Sequence, residues 1–351
     1  MSMSILAPST LSAQRTQRDT VLKLQTEFTT SAEEVSTGRH ADPYAALGRK
    51  SASVLGLESD LARTENLISS NTLLDNRMAA TGDALGHMRK IAEEVLTLAM
   101  PNSPTRGPTV SSLAEAARSA FDRIVAMANT SYEGRSLFGG VATDHKPVVA
   151  WAEVSPNGTA PSGMVATATG GALGSAADAT AKADALDALF AETSAAQPGY
   201  MNAVYDGAPA NGPRLAASVD EGQTLQYGVQ ADDPAFRDLF QGLSMLAGVD
   251  PATIADPAAY SEWMTRATEK LSSAATGLLG AESEMGVDRA RLEVTVEKQQ
   301  SRRTLYMQQI HDLSGVDPYE AASRMTEIES RLQVSYAVTS RMIRLSFLDY
   351  M

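Results

Sequence analysis

Few residues in this chain have the types and spacing that catalysis or metal binding requires. The four histidines are widely separated, and none lies at a ligand spacing such as His-x-x-x-His. Asp83 and His87 are four residues apart, so a helix would place them on one face. They could form a proton relay or ligand pair there, but a solvated surface pair is the expected interpretation.

Other signatures of chemistry are missing from the sequence. There is no cysteine, which excludes disulfides, thiolate nucleophiles and cysteine-based metal sites. No Gly-x-Ser-x-Gly, Walker or Rossmann pattern occurs in the sequence. Gly170, Gly171 and Gly174 lie in a low-complexity loop, so they are not interpreted as a nucleotide-binding motif. We therefore predict no catalytic residue, no cofactor, no metal site and no enzymatic activity.

Charge and composition exclude further classes of protein. The net charge of −13 argues against binding to nucleic acid or to an anionic membrane surface. No apolar run approaches the length of a membrane span, and residues 1–8 do not resemble a cleaved signal peptide. The sequence is thus expected to be cytoplasmic, or secreted by a route that cleaves no signal. Aromatic residues make up only 5%, a composition that favours long helices.

The elements at the two ends of the chain match each other. Ser36–Pro43 and Ser314–Pro318 each contain a glycine followed by Asp-Pro. Gly38 and Gly315 are predicted to end a helix in the left-handed conformation, and the Asp-Pro pairs to begin the next helix. This match predicts that the two outer segments are helices that pair with each other, as in an elongated structural subunit.

Both outer segments carry apolar residues at helical spacing. The apolar face of the C-terminal segment is wider than a two-helix seam needs, so partner subunits are expected to cover the rest. The Glu33-Glu34 pair is predicted to lie on a solvated helix face. The candidate assembly residues are Val21, Leu24, Phe28, Val35, Leu332, Tyr336, Ile343 and Phe347.

Between the ends, the sequence alternates helical and Gly-rich stretches. A long helix is predicted after Pro43, with Asn71 setting register as polar residues do in coiled coils. Another helix is predicted over about 111–129, and two separate helices over 260–279 and 285–313.

Residues 141–233 are rich in Gly, Ala, Thr and Pro. Short strands are predicted at 149–151, 215–219 and 225–229, the last two joined by a turn at 220–223.

These patterns predict a mainly-α protein, an elongated antiparallel helical bundle or coiled coil with a small inserted β-rich domain. The predicted division has three parts. The terminal coiled coil comprises residues 1–41 and 317–351. The helical bundle comprises 42–140 and 234–316, and the β-rich outer domain comprises 141–233.

Several segments resemble the hook–filament junction proteins of the bacterial flagellin family. Residues 127–140 read Met-Ala-Asn-Thr-Ser-Tyr-Glu-Gly-Arg-Ser-Leu-Phe-Gly-Gly. They are similar to that family's Leu-Ala-Asn-Thr pattern followed by Leu-Phe-Gly-Gly. The ending 332–351 is similar to its Leu-Gln-Ala-Ser-Tyr…Leu-Asn-Tyr-Leu terminus. Residues 36–43 resemble its Ser-Gly…Asp-Asp-Pro turn, with Ala41 in place of the first Asp, and 204–207 resemble its middle-domain start.

The resemblance implies an adaptor in the axial structure of the flagellum, between the hook and the filament. It implies as partners further copies of the chain in a ring, flagellin, other hook-associated proteins and an export chaperone at the C-terminal helix. It also implies unfolded export through the flagellar type III apparatus and an extracellular location in the flagellum.

Three other interpretations remain. Flagellin itself shares the terminal helices, although residues 133–140 and the Leu-Ser-Phe-Leu-Asp-Tyr ending favour the junction protein. A cytoplasmic coiled-coil scaffold would explain the helical periodicity but not the matched breaks. An enzyme within 141–233 is least favoured, because no acid, base or nucleophile clusters there.

Overall fold

The computed structural model describes residues 10–103, 105–210 and 212–348, and helix makes up 71% of the chain. Its helices are α1 (Thr10–Thr37), α2 (Pro43–Leu47), α3 (Ser51–Ala99), α4 (Val110–Ala128), α5 (Pro161–Thr169), α6 (Ala176–Ala191), α7 (Tyr200–Ala203), α8 (Pro234–Gly248), α9 (Pro257–Ser314) and α10 (Pro318–Leu348). Its strands are β1 (Ser131–Tyr132), β2 (Arg135–Ser136), β3 (Ala216–Asp220) and β4 (Gln223–Gln226). They form two antiparallel hairpins, β1–β2 and β3–β4. The predicted mainly-α class with a small β insertion is confirmed.

The chain divides into two compact units. The terminal unit comprises residues 1–66 and 299–351, and the central unit comprises residues 67–298. Helices α3 and α9 each contribute residues to both units. The three-part division expected from the sequence stays a prediction.

The central unit is built around the packing of α4 on α8. Phe121 of α4 contacts Phe240 of α8 edge-on, with ring centroids 4.9 Å apart. Helix α8 is buried on nearly every side, because α5 and α6 also pack against it. The inserted residues therefore share this core, and Leu186 and Phe190 of α6 belong to it.

The segment after α4 forms a tight hairpin. Glu133 and Gly134 both have positive φ, +50° and +75°, the pattern of a two-residue type I′ turn. The following Leu137 and Phe138 are buried in the core. The strand predicted at 149–151 is wrong, since only one isolated bridge forms there, between Val148 and Tyr205.

The hairpin β3–β4 packs on a second, smaller core. Its Val219 joins Leu74 and Met78 of α3 and Met285 of α9 in this cluster. Asn71 is buried, and its Nδ2 donates a hydrogen bond to the Val219 carbonyl at 2.8 Å. The Asn71 amide thus anchors a β-hairpin, and the register role predicted for Asn71 stays a prediction.

Helix α9 is one continuous helix of 58 residues, so the predicted division into two helices is wrong. Gly280, between the two predicted helices, and Gly286 both lie inside it. A glycine in a helix interior costs about 1 kcal/mol relative to alanine. Burial of Leu278 and Met285 beside these glycines offsets that cost.

Candidate assembly surface of the terminal helices

The two sequence breaks lie against each other in the terminal unit. Arg39 and Gly315 form an antiparallel bridge. The His40 amide donates to the Ser314 carbonyl at 3.1 Å, and the Val316 amide donates to the Gly38 carbonyl at 3.0 Å. The two segments are therefore joined through their backbones, where each chain end turns from one helix to the next.

The two glycines at these breaks are needed for different reasons. Gly38 has φ +67°, the left-handed conformation predicted for it. The same prediction for Gly315 is wrong, because its φ is not positive. A Cβ at Gly315 would instead lie 2.4 Å from the His311 carbonyl oxygen, so close backbone packing requires glycine there.

Both Asp-Pro pairs begin helices as predicted. The Asp42 side chain accepts a hydrogen bond from the Ala45 amide at 3.0 Å, ahead of Pro43 at the first position of α2. Asp317 accepts from the Tyr319 amide at 2.8 Å at the start of α10.

A buried carboxylate ties the two breaks together. The Glu34 side chain is only 8% exposed, so its predicted place on a solvated helix face is wrong. Arg324 Nη1 of α10 donates to Glu34 Oε2 at 3.4 Å, and His40 Nδ1 lies 3.2 Å from Oε1. The Ala41 amide also donates to Oε1, at 3.4 Å. Spacing could not have revealed this cluster, because Arg324 is 290 residues away from Glu34.

Helices α1 and α10 pack antiparallel over much of their described length. Gln17 near the start of α1 donates to the Ser335 hydroxyl at 3.0 Å, whereas Glu34 near its end contacts Arg324. The predicted pairing of the chain ends is therefore present in a single chain.

The candidate residues are covered to different degrees by this pairing. Leu332 is buried, but Tyr336 is 50% exposed, and its hydroxyl accepts a hydrogen bond from Gln25 at 2.7 Å. The side chains of Ile343 and Phe347 lie outside the described residues. Those of the four α1 candidates, Val21, Leu24, Phe28 and Val35, are half-buried.

Other apolar side chains on these helices are also accessible in the single chain. Leu22 is 52% exposed on α1, and Val334 and Val338 are 61% and 41% exposed on α10. The two-helix seam thus covers one face of the described helices and leaves apolar groups on another. Such a surface gains stability when a neighbouring molecule covers it.

Groups able to do chemistry do not converge in the described parts of the chain. Asp83 and His87 are both exposed on α3. No group of three or more His, Cys, Asp or Glu residues in 10–103, 105–210 and 212–348 could hold a metal ion. None of the helices described is both long and apolar enough to cross a membrane.

Two sequence-family models match the chain. The bacterial flagellin N-terminal helical region matches residues 9–143, and the bacterial flagellin C-terminal helical region matches residues 268–351. Together these regions span more than half of the sequence. The chain belongs to the bacterial flagellin family. It is a structural subunit of the bacterial flagellum and not an enzyme.

Solved structures similar to this flagellin-family chain include two flagellar proteins. One is a Vibrio parahaemolyticus protein assigned as a flagellar hook-associated protein, with 14% identity and a TM-score of 0.38. That match covers 78% of this chain and 98% of the other. The second is FlgL of Bacillus cereus, with 13% identity, a TM-score of 0.32 and coverage of 73% and 96%. No curated protein matches the sequence.

Proposed function

We propose that this flagellin-family chain is the adaptor subunit at the junction between hook and filament. The observation that carries the proposal is the sequence of residues 133–140, which resembles junction proteins more than flagellin. In the fold, this segment includes the turn and the second strand of the β1–β2 hairpin and leads into the insert. The Leu-Ser-Phe-Leu-Asp-Tyr ending at 345–350 supports the same choice over a filament subunit.

Copies of the chain would form a ring in which α1 and α10 meet their neighbours. The half-buried stripe of α1 and the exposed Tyr336 support this role, because a single chain leaves them incompletely covered. We assign Val21, Leu24, Phe28, Val35, Leu332, Tyr336, Ile343 and Phe347 to the assembly region. The ring would contact flagellin on one side and another hook-associated protein on the other.

Secretion through the flagellar type III apparatus, with a chaperone on the C-terminal helix, forms part of the same proposal. The absence of cysteine is compatible with it, because a disulfide would obstruct threading of an unfolded chain through a narrow channel.

We also propose that the chain has three domains. Residues 1–41 and 317–351 form the terminal coiled coil, residues 42–140 and 234–316 form the helical bundle, and residues 141–233 form the outer domain.

Deletion of the gene tests the proposal by electron microscopy of the cells. Hooks without filaments, together with intact flagellin released into the medium, are expected for a junction protein. Hooks without filaments and without any released filament protein would identify the chain as flagellin instead. Normal filaments on the deletion strain would refute both.

Complementation with α10 variants then tests the assembly surface. Leu332→Asp places a charge in the seam with α1, whereas Val334→Asp places it on the exposed side of the same helix. Burying an unpaired charge costs several kcal/mol at least. Both variants, like Ile343→Asp, should be secreted but should fail to support filaments.

Glu329→Ala, an exposed change on the same helix, is the matched control and should leave filaments normal. Normal filaments with secreted Val334→Asp would show that neighbouring subunits do not cover that side of α10. Normal filaments with Leu332→Asp and Ile343→Asp would remove the main physical support for the terminal helices as assembly elements.

A further inference from the structure

Three polar side chains of the central unit are buried with unpartnered atoms. Both amide atoms of Gln230 and Oδ1 of Asp232 have no hydrogen-bond partner among the described residues, and the proton of the Tyr205 hydroxyl has no acceptor there, although the hydroxyl oxygen lies against the Ala208 amide. Gln230 is 0% exposed, Tyr205 1% and Asp232 7%. Buried polar groups in folded proteins are nearly always hydrogen-bonded, so this concentration of unpaired atoms requires an explanation.

These side chains belong to chain segments that meet beside Gly139. The Ala208 amide donates to the Gly139 carbonyl at 3.0 Å, and the Ala231 amide donates to the Phe138 carbonyl at 2.9 Å. Backbone hydrogen bonds therefore fix residues 138–140, 205–208 and 230–232 against one another.

Two glycines give the polar groups their space. A Cβ at Gly140 would lie 2.4 Å from Gln230 Nε2 and 2.9 Å from the Ala208 Cβ. A Cβ at Gly207 would lie 2.3 Å from the Tyr205 hydroxyl. The Gln230 amide and the Tyr205 hydroxyl thus both lie beside the turn formed by Gly207 and Ala208.

The electrostatics of this region keep the Tyr205 hydroxyl protonated. Burial raises the pKa of Tyr205, and the negative charge of Asp232 raises it further, whereas the Ala208 amide beside the hydroxyl lowers it. The pKa of Asp232 is itself raised, first by burial and then by the neighbouring Asp233, against the opposing charges of Arg214 and Arg237. The cluster therefore offers a hydroxyl and an amide, which can both donate and accept, beside a carboxylate oxygen, which accepts.

We propose that Gln230, Tyr205 and Asp232 form an internal site that binds one or more water molecules. The ligand must both donate and accept hydrogen bonds and must be small enough to fit beside side chains packed this closely. Water meets both conditions, and buried waters commonly make two to four such hydrogen bonds. A monovalent cation fits less well, because it would face the amide donor of Gln230.

The bound water would link Tyr205, inside the insert, to Gln230 and Asp232 at its end, where backbone hydrogen bonds hold both segments against the Leu-Phe-Gly-Gly segment. This role goes beyond assembly at the hook, because it concerns how the insert is attached within one chain. It also explains why glycine occupies both position 140 and position 207.

Magnetic relaxation dispersion of water oxygen-17 and deuterium on the purified full chain tests the site, because it counts waters that stay bound for longer than the protein tumbles. Gln230→Leu should remove at least one long-lived water per chain. Gln226→Leu, on the exposed surface of β4, is the matched control and should leave the count unchanged.

Tyr205→Phe removes only the hydroxyl and serves as a second variant if Gln230→Leu fails to fold by circular dichroism. It should also reduce the number of long-lived waters. An unchanged count in Tyr205→Phe and in folded Gln230→Leu would overturn the proposal. Loss of the wild-type signal when choline replaces sodium and potassium would overturn it too, because the ligand would then be a cation.

Discussion

The buried carboxylate of Glu34 makes an asymmetric prediction about the terminal unit. In Glu34→Ala, Arg324 keeps its exposed partner Glu320, at 3.0 Å, and no charge is left buried. In Arg324→Ala, by contrast, the Glu34 carboxylate stays buried, and its remaining partners among the described residues are His40 and the Ala41 amide. Arg324→Ala should therefore destabilise the contact between the two breaks more than Glu34→Ala does.

The expected magnitudes follow from the geometry. Hydrogen bonds to charged groups contribute about 1.5–3 kcal/mol, and the Glu34 contacts are long, so Glu34→Ala should cost about 2 kcal/mol. Removing one partner of a buried ion pair costs about 3–5 kcal/mol, and the partial exposure of Arg324 places Arg324→Ala near 3 kcal/mol. Each 1.36 kcal/mol is a factor of ten, so local opening should increase about 30-fold and about 160-fold respectively.

Hydrogen–deuterium exchange with peptide-level mass spectrometry measures this opening. Tryptophan fluorescence would not, because Trp151 and Trp263 both lie in the central unit. Peptides covering the end of α1 and the start of α10 should exchange faster in both variants. Peptides from α4 and α8 should be unchanged.

Glu320→Ala is the control, since it removes only the exposed partner of Arg324. Exposed i,i+4 pairs contribute about 0.3–0.5 kcal/mol, so the control should change exchange about twofold. Equal exchange in Arg324→Ala and Glu320→Ala, or a smaller effect of Arg324→Ala than of Glu34→Ala, would show that the unpaired Glu34 carboxylate does not destabilise the contact.

Two further predictions concern the central unit. Asn71→Leu removes the hydrogen bond to the Val219 carbonyl, so it should lower the free energy of unfolding by about 1–3 kcal/mol, measured by urea unfolding with tryptophan fluorescence. The control Asn76→Leu, on the exposed side of α3, should lower it little. Equal effects of the two variants would contradict the anchoring role of Asn71. His145 approaches the Asp144 carboxylate through Nδ1 and the Asp206 carbonyl through Nε2, both at 2.8 Å, and the hydrogen bond to Asp144 raises its pKa above the ordinary 6.5. The stabilising contribution of His145 should therefore be complete below pH 6.5 and disappear as pH rises through the folded-state pKa. An NMR titration of the His145 ring measures that pKa, and a pKa at or below 6.5 would contradict this prediction.

Local sequence rules were sufficient to predict features in which a residue interacts with its near neighbours in the chain. The caps at Asp42 and Asp317, the left-handed Gly38 and the hairpin turn at 220–223 depend only on backbone groups a few residues away. The buried apolar face of α4 could also be predicted, because the period of a helix alone decides which side chains lie on the same face.

Tertiary contacts decided other features, which cannot be predicted from a local sequence pattern. Helix α9 continues through Gly280 because burial on either side outweighs the helix propensity of glycine.

The sequence by itself determined the helical class and the two breaks, because hydrophobic period and capping chemistry are properties of contiguous residues. The match between the two breaks predicted that the chain ends pair with each other. Only the tertiary structure decided that Glu34 is buried and that Asn71 holds a β-hairpin. The partners are Arg324 and Val219, and such pairings are set by how distant segments pack, which residue spacing does not encode.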